Sequence, residues 1–143
     1  MLTLHLEIVT IERKLFDDQV SMVIAPGTEG LLGILPRHTP LLTSLTFGEL
    51  QVKQEGEEDQ YFAVGGGFME VQPFHVVVMA DTAERAEEID VARAEEACQR
   101  AEGLLARAKE DPLAFAKAET DFKRAQLRLK VAEHRRRKNP LLK

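Results

Sequence analysis

Four arginines in the last third of the chain have the spacing that phosphate recognition needs. Arg124 and Arg128 are four apart and share one helix face, and Arg93 and Arg100 are seven apart and share another. Two such faces brought together would converge four guanidiniums, whose planar forks each donate paired hydrogen bonds to phosphate oxygens. The alternative is ordinary: helix arginines are commonly solvated or paired with a nearby acid, as Arg93 would be with Glu96 or Glu88. The same region carries a second electrostatic device. Residues 84–111 hold 5 basic and 9 acidic side chains, whereas residues 112–143 hold 10 and 3. Helices of opposite charge attract when antiparallel, and the basic one would also suit an acidic surface on another protein. Arg135 to Lys138 would serve either as part of that basic surface or as a solvated, favourably charged helix end.

Other candidate chemistry is weaker. Gly65-Gly66-Gly67 lacks the following lysine and Ser/Thr of a phosphate loop and precedes a strand-like stretch, so a turn or bulge is expected. His5, His38, His75 and His134 have no metal-ligand spacing with the single cysteine, Cys98. No catalytic triad or paired-carboxylate signature stands out.

The elements that must position these arginines follow from periodicity. Leu2, Leu4, Leu6 and Ile8 alternate with polar residues, the period of a half-buried strand. Further strands are expected at 20–25, 31–35, 41–45, 49–54, 61–64, 68–71 and 75–80. Pro26-Gly27, Pro36, Pro40, Gly48, Gly56, the glycine triplet and Pro73 separate them. Many short strands without a crossover helix predict an antiparallel sandwich or flattened barrel. Residues 55–59 read as an exposed hairpin tip.

The period then changes. Ala94, Ala97, Ala101, Leu104 and Ala108, followed by Phe115, Ala118, Phe122, Ala125, Leu129 and Ala132, form the seams of a two-helix hairpin. Asp90, with Ile89 before it, is a suitable N-cap, and Asp111-Pro112 is a cap followed by proline at the first helical position. The helices are therefore expected at 91–109 and 112–137, with Asn139-Pro140 as terminator. The fold class is α+β: an N-terminal sandwich over 1–84 and a C-terminal antiparallel helical hairpin over 85–143. Alanine seams bury little surface, so a hairpin of marginal stability that can open is expected.

Composition limits the function classes. The chain has 143 residues and a net charge of −5. Residues 1–83 carry 4 basic against 12 acidic groups, which argues against nucleic acid as the main partner despite the basic second helix. The acids Glu119, Asp121 and Glu133 interrupt that helix's positive charge. A free-standing ATP-using enzyme is disfavoured by the missing phosphate loop and metal carboxylates. One cysteine and no signal peptide predict a reducing, cytoplasm-like compartment. The longest apolar run, 76–80, is far short of the ~20 residues that span a bilayer.

Three motifs in order resemble the epsilon subunit family of bacterial F-type ATP synthases. Gly30-Leu31-Leu32-Gly33-Ile34-Leu35-Pro36-Arg37-His38-Thr39-Pro40-Leu41 is similar to that family's signature loop, with Arg37 where a small residue is often found. Gly66-Gly67-Phe68-Met69-Glu70-Val71 is similar to its second signature. Ala83-Glu84-Arg85-Ala86 followed by Ile89-Asp90-Val91-Ala92-Arg93-Ala94 is similar to its ATP-binding motif.

The resemblance implies a non-catalytic rotor subunit. Its expected partners are the gamma subunit, the c-subunit ring and the alpha and beta subunits, with membrane contact only through the complex and no nucleic acid. The sandwich would couple head to ring, with Arg37 and His38 at the ring or gamma contact. The hairpin would lie folded or extend into the catalytic head and inhibit ATP hydrolysis. Lys123, Arg124, Arg128, Lys130, Arg135 and Arg136 would then meet the beta subunit. The implied ATP site falls on Glu84, Ile89, Asp90, Arg93, Ala94, Arg100, Arg124 and Arg128. There the four arginines would hold phosphates, and Glu84, Asp90 and the backbone near Ile89 and Ala94 would contact adenine or ribose. No cofactor is required, and ATP enters as a regulatory ligand. The implied location is peripheral, at the cytoplasmic face of the cell membrane, or at the thylakoid membrane in a cyanobacterial member.

Overall fold

The alternation at the start of the chain becomes β1, Leu4–Val9, with Leu4, Leu6 and Ile8 fully buried. The computed structural model describes residues 2–138, and side chains through His134. After β1 come β2 (Lys14–Val20), β3 (Met22–Gly27), β4 (Gly30–Ile34), β5 (Leu41–Lys53), β6 (Gln60–Gln72), β7 (His75–Ala80) and β8 (Ala83–Arg85). A short 3-10 turn, Ala86–Glu88, leads into α1 (Val91–Arg107) and α2 (Pro112–Lys138). The chain divides into two compact units, residues 1–85 and 86–143.

In the first unit the strands form one eight-stranded sheet in the order β2-β1-β7-β6-β5-β3-β4, with β8 on β6. The sheet folds over its own core of Leu6, Val23, Leu50, Phe62, Met69 and Val78, all inaccessible to solvent. Phe16 meets Phe62 edge to face at 6.1 Å, a favoured arrangement of two ring quadrupoles. All pairings are antiparallel except β1 with β7. This parallel pair needs no crossover helix, because five intervening strands make the return, and so the sheet is mixed. Arg85 donates to the carbonyl oxygen of Leu15 and ties the end of β8 to β2.

Three expected separators turn out to lie inside strands, Pro26-Gly27 at the end of β3 among them. Gly48 belongs to the 13-residue β5, and the glycine triplet to the 13-residue β6. At Gly48 a Cβ would stand 2.5 Å from that of Pro26, so glycine is there to let β3 and β5 approach. At the triplet, β6 changes partner, pairing with β8 through Phe62 to Val64 and with β7 from Gly67 onward. Gly66 and Gly67 have φ of 86° and 121°, and a Cβ on Gly67 would lie 2.2 Å from the Met79 carbonyl oxygen. Neither the expected turn nor a bulge forms: β6 runs through the triplet with its registers to β5, β7 and β8 unshifted. β2 was not foreseen because Leu15 and Phe16 are both buried and three exposed residues follow, which breaks the period of two.

The second unit is a helical hairpin. Asp90 Oδ1 accepts from the Arg93 amide at 3.1 Å, capping α1. α1 ends at Arg107 rather than 109, and Asp111 Oδ1 caps α2 by accepting from the amides of Leu113 and Ala114 at 3.1 and 3.3 Å. α2 continues to Lys138, one residue past expectation, and the terminator Asn139-Pro140 lies outside the described residues.

Gly67→Ala is expected to lower stability by about 3 kcal/mol or more, from an unfavourable φ and carbonyl overlap combined. The urea midpoint should fall at unchanged m-value. Asp111→Ala should cost about 1 kcal/mol, raising amide exchange about fivefold in the hairpin with sandwich amides unchanged.

Candidate functional site

The hairpin's local physics comes from alanine. Ala94 and Ala101 of α1 and Ala118, Ala125 and Ala132 of α2 are all buried. Methyl-sized side chains let helix axes approach closely, and the gap they leave does not admit larger ones. Leu104 and Phe115, expected on the seam, accordingly stay at its rim and are 50% and 36% exposed. Ala97, Ala108, Phe122 and Leu129 are half-buried.

One flank of this seam is a groove of about 380 Å³. α1 lines it with Ala97, Arg100, Ala101 and Leu104, and α2 with Asp121, Arg124, Ala125 and Arg128. Three arginines and one aspartate border this alanine-lined groove, which falls in the size range of small-molecule sites. It can accept an anion through paired charge-assisted hydrogen bonds while an apolar group rests on alanine and leucine.

Of the eight residues implied for a nucleotide, Arg100, Arg124 and Arg128 share this groove. Arg93 is exposed in the first turn of α1 and is not among the lining residues, so the expected four-arginine convergence is here one of three. Ala94 and Ile89 are buried, and Asp90 serves as the α1 cap. Glu84 lies in β8 opposite Ala63. Asp121, a groove residue that sequence reading missed, sits one helical turn before Arg124, and that i, i+3 spacing was the available signal.

Elsewhere on α2, Lys123 bonds Glu119 at 3.3 Å, an exposed i, i+4 pair worth roughly 0–1 kcal/mol. Lys130 is exposed. The side chains of Arg135 and Arg136 lie outside the described residues.

The sandwich carries two further surfaces. After β4, Arg37 takes a φ of 71° and its amide donates to the Pro73 carbonyl at 2.6 Å. A small residue is better suited to that left-handed conformation, so Arg37 keeps its side chain exposed at a backbone cost. His38 Nδ1 lies 2.7 Å from the Thr39 carbonyl oxygen. Leu31, 73% exposed, lies on the outer side of β4, whose inner side buries Ile34. The outer face of β5, β6 and β7 presents Leu42, Phe68 and Met79, all exposed. Sequence reading passed over this patch. Its trace was apolar character at both alternate positions of Phe68-Met69 and along 76–80.

The sequence matches two family descriptions that meet end to end. Residues 3–86 match "ATP synthase, Delta/Epsilon chain, beta-sandwich domain", and residues 87–133 match "ATP synthase, Delta/Epsilon chain, long alpha-helix domain". The chain is 52% identical over 140 residues to an ATP synthase epsilon chain of Dehalococcoides mccartyi, covering 98% of this chain and 99% of that one. It is 50% identical over 133 residues to that of Herpetosiphon aurantiacus, covering 93% and 96%. Among solved structures it resembles a chain of the Euglena gracilis mitochondrial ATP synthase, OSCP/F1/c-ring in rotational state 1. The TM-score is 0.72 at 22% identity, over 92% of this chain and 78% of that one. A chain of the Tetrahymena thermophila mitochondrial ATP synthase central stalk and c-ring gives 0.58 at 18%, over 90% and 96%. Those two likenesses support the fold; the family follows from sequence, because both domain descriptions and full-length relatives at half identity agree, and the chain belongs to the ATP synthase delta/epsilon chain family.

Proposed function

We propose that this chain is the non-catalytic epsilon subunit of a central rotor stalk, coupling proton-driven rotation of a c-subunit ring to ATP synthesis in the catalytic head. The sandwich is the coupling body. Its exposed apolar residues, Leu42, Phe68 and Met79 on the sheet face and Leu31 beside the Arg37-His38 loop, are the kind of surface that partners cover. In this reading they meet the gamma subunit and the ring. No helix among the described residues is long and apolar enough to cross a membrane, so membrane association would come through the complex.

The hairpin is the regulatory element, and the observation that carries this reading is its alanine seam. Burying a methyl contributes about 0.8 kcal/mol, against about 1.5–3 kcal/mol for a leucine, so opening such a hairpin is comparatively cheap. Extended, α2 would bring Lys123, Arg124, Arg128 and Lys130, with Arg135 and Arg136, to an acidic surface of the beta subunit and hold back ATP hydrolysis. Folded, Arg100, Arg124 and Arg128 line one cleft, which favours a nucleotide phosphate chain there. Arg124 and Arg128 thus serve both states, and a ligand engaging them in the cleft withholds them from the beta subunit. ATP at 100 times its dissociation constant would favour the folded hairpin by ~2.7 kcal/mol.

Reconstitution with the other head subunits tests the inhibitory role. A chain ending at Glu88 should raise ATP hydrolysis at low ATP relative to the full chain, and an unchanged rate would remove that role. Titration of the isolated chain with ATP tests the ligand separately. Arg124→Ala and Arg128→Ala should each weaken binding about tenfold or more, the loss of a charge-assisted hydrogen bond. Absence of saturation at millimolar ATP would remove the ATP switch and leave the subunit assignment standing.

A further inference from the structure

His5 and His75 are 70 positions apart in sequence and directly opposite one another in the parallel β1–β7 register. Their rings stand 5.5 Å apart, centroid to centroid. Glu7 is two residues along β1 and therefore on the same face, and Asp17 of β2 is its cross-strand partner. His75 Nε2 lies 2.8 Å from Glu7 Oε2, and His5 Nε2 lies 2.5 Å from Asp17 Oδ1. Lys14 Nζ bridges both carboxylates, 3.1 Å from Glu7 Oε1 and 3.0 Å from Asp17 Oδ2. Ligand atoms of His5, Glu7 and His75 all fall within 4.8 Å of one another.

We propose that His5, His75 and Glu7, with Asp17 beside them, form a binding site for a borderline divalent transition metal such as Zn²⁺. The donor set decides the class of ion: two imidazoles and a carboxylate suit zinc and its neighbours, whereas magnesium and calcium prefer oxygen alone. Tetrahedral zinc with bonds near ~2.0–2.1 Å sets its ligand atoms roughly 3.4 Å apart. Closing from the present separations therefore takes about 1 Å, within the rotamer freedom of side chains that are 23–47% exposed. His5 Nδ1 stands 3.1 Å from the Gln19 side-chain amide, which can accept its proton-bearing edge by turning its oxygen inward and so leave Nε2 for the ion.

The cation now in the site is the Lys14 ammonium. It holds Asp17 below the ordinary carboxylate range, with a smaller effect from His5. Glu7 is likewise held low, first by His75 and then by Lys14. Both carboxylates raise Lys14 in turn, Asp17 foremost. The site is thus an anionic cradle that already favours positive charge, and a metal ion would enter by displacing Lys14. On the far side His75 faces Gln72, itself bonded to Glu70 at 3.1 Å, so no second cation opposes the ion from β6. Zinc takes the neutral imidazole, so protons compete with it for the site.

The test is a titration of the full chain with ZnCl₂, followed by imidazole NMR signals. His5 and His75 should shift together and saturate at one equivalent, with His38 and His134 unmoved. His5→Asn and His75→Asn should each weaken binding about tenfold or more. Lys14→Met should tighten it several-fold by removing the competing ammonium. MgCl₂ should give no response. The proposal is overturned if zinc does not saturate at millimolar concentration. It is equally overturned if all four histidines respond alike, or if Lys14→Met leaves the affinity unchanged.

Discussion

The constraint on which the second unit depends is the size of the side chain between its helices. Ala94, Ala101, Ala118, Ala125 and Ala132 are buried, and Val131 is the one larger fully buried side chain among the described residues of α1 and α2. That choice lets the axes come close, limits the buried area, and pushes Leu104 and Phe115 to the rim. A leucine seam would make a hairpin that stays shut. An alanine seam buries less apolar area per contact and so holds its helices less strongly.

Charge supplies the second half of that logic. Arginines 100, 124 and 128 flank the seam, so closing the hairpin concentrates positive charge in one cleft. Asp121 shares that groove with them.

The sandwich is built differently. Long strands β5 and β6 continue through their glycines rather than being interrupted by turns. Gly67 lets β6 exchange one partner strand for another while keeping its hydrogen bonds, with φ and close carbonyl contact that a side chain would not tolerate.

Period and capping determined much of this chain before any tertiary contact. Alternating leucines specified β1, the three- and four-residue alanine spacing specified the hairpin, and Asp90 and Asp111 marked the helix starts, because these signals act between neighbours in sequence. The same local rules misread Gly48 and Gly65 to Gly67 as strand ends, since glycine at a turn and glycine at a close approach look alike in one dimension. They missed β2, whose buried pair Leu15-Phe16 comes from a bulge in β2 itself, where Leu15 is the extra residue opposite Ile8 and Val9 of β1. Which arginines share a groove was decided by helix rotation within the hairpin, and it admitted Arg100, Arg124 and Arg128 while leaving Arg93 outside. The parallel pairing that sets His5 against His75 could not be read from spacing at all. Side chains 70 positions apart meet only when intervening strands return the backbone to the same edge, and that return is a property of the whole sheet.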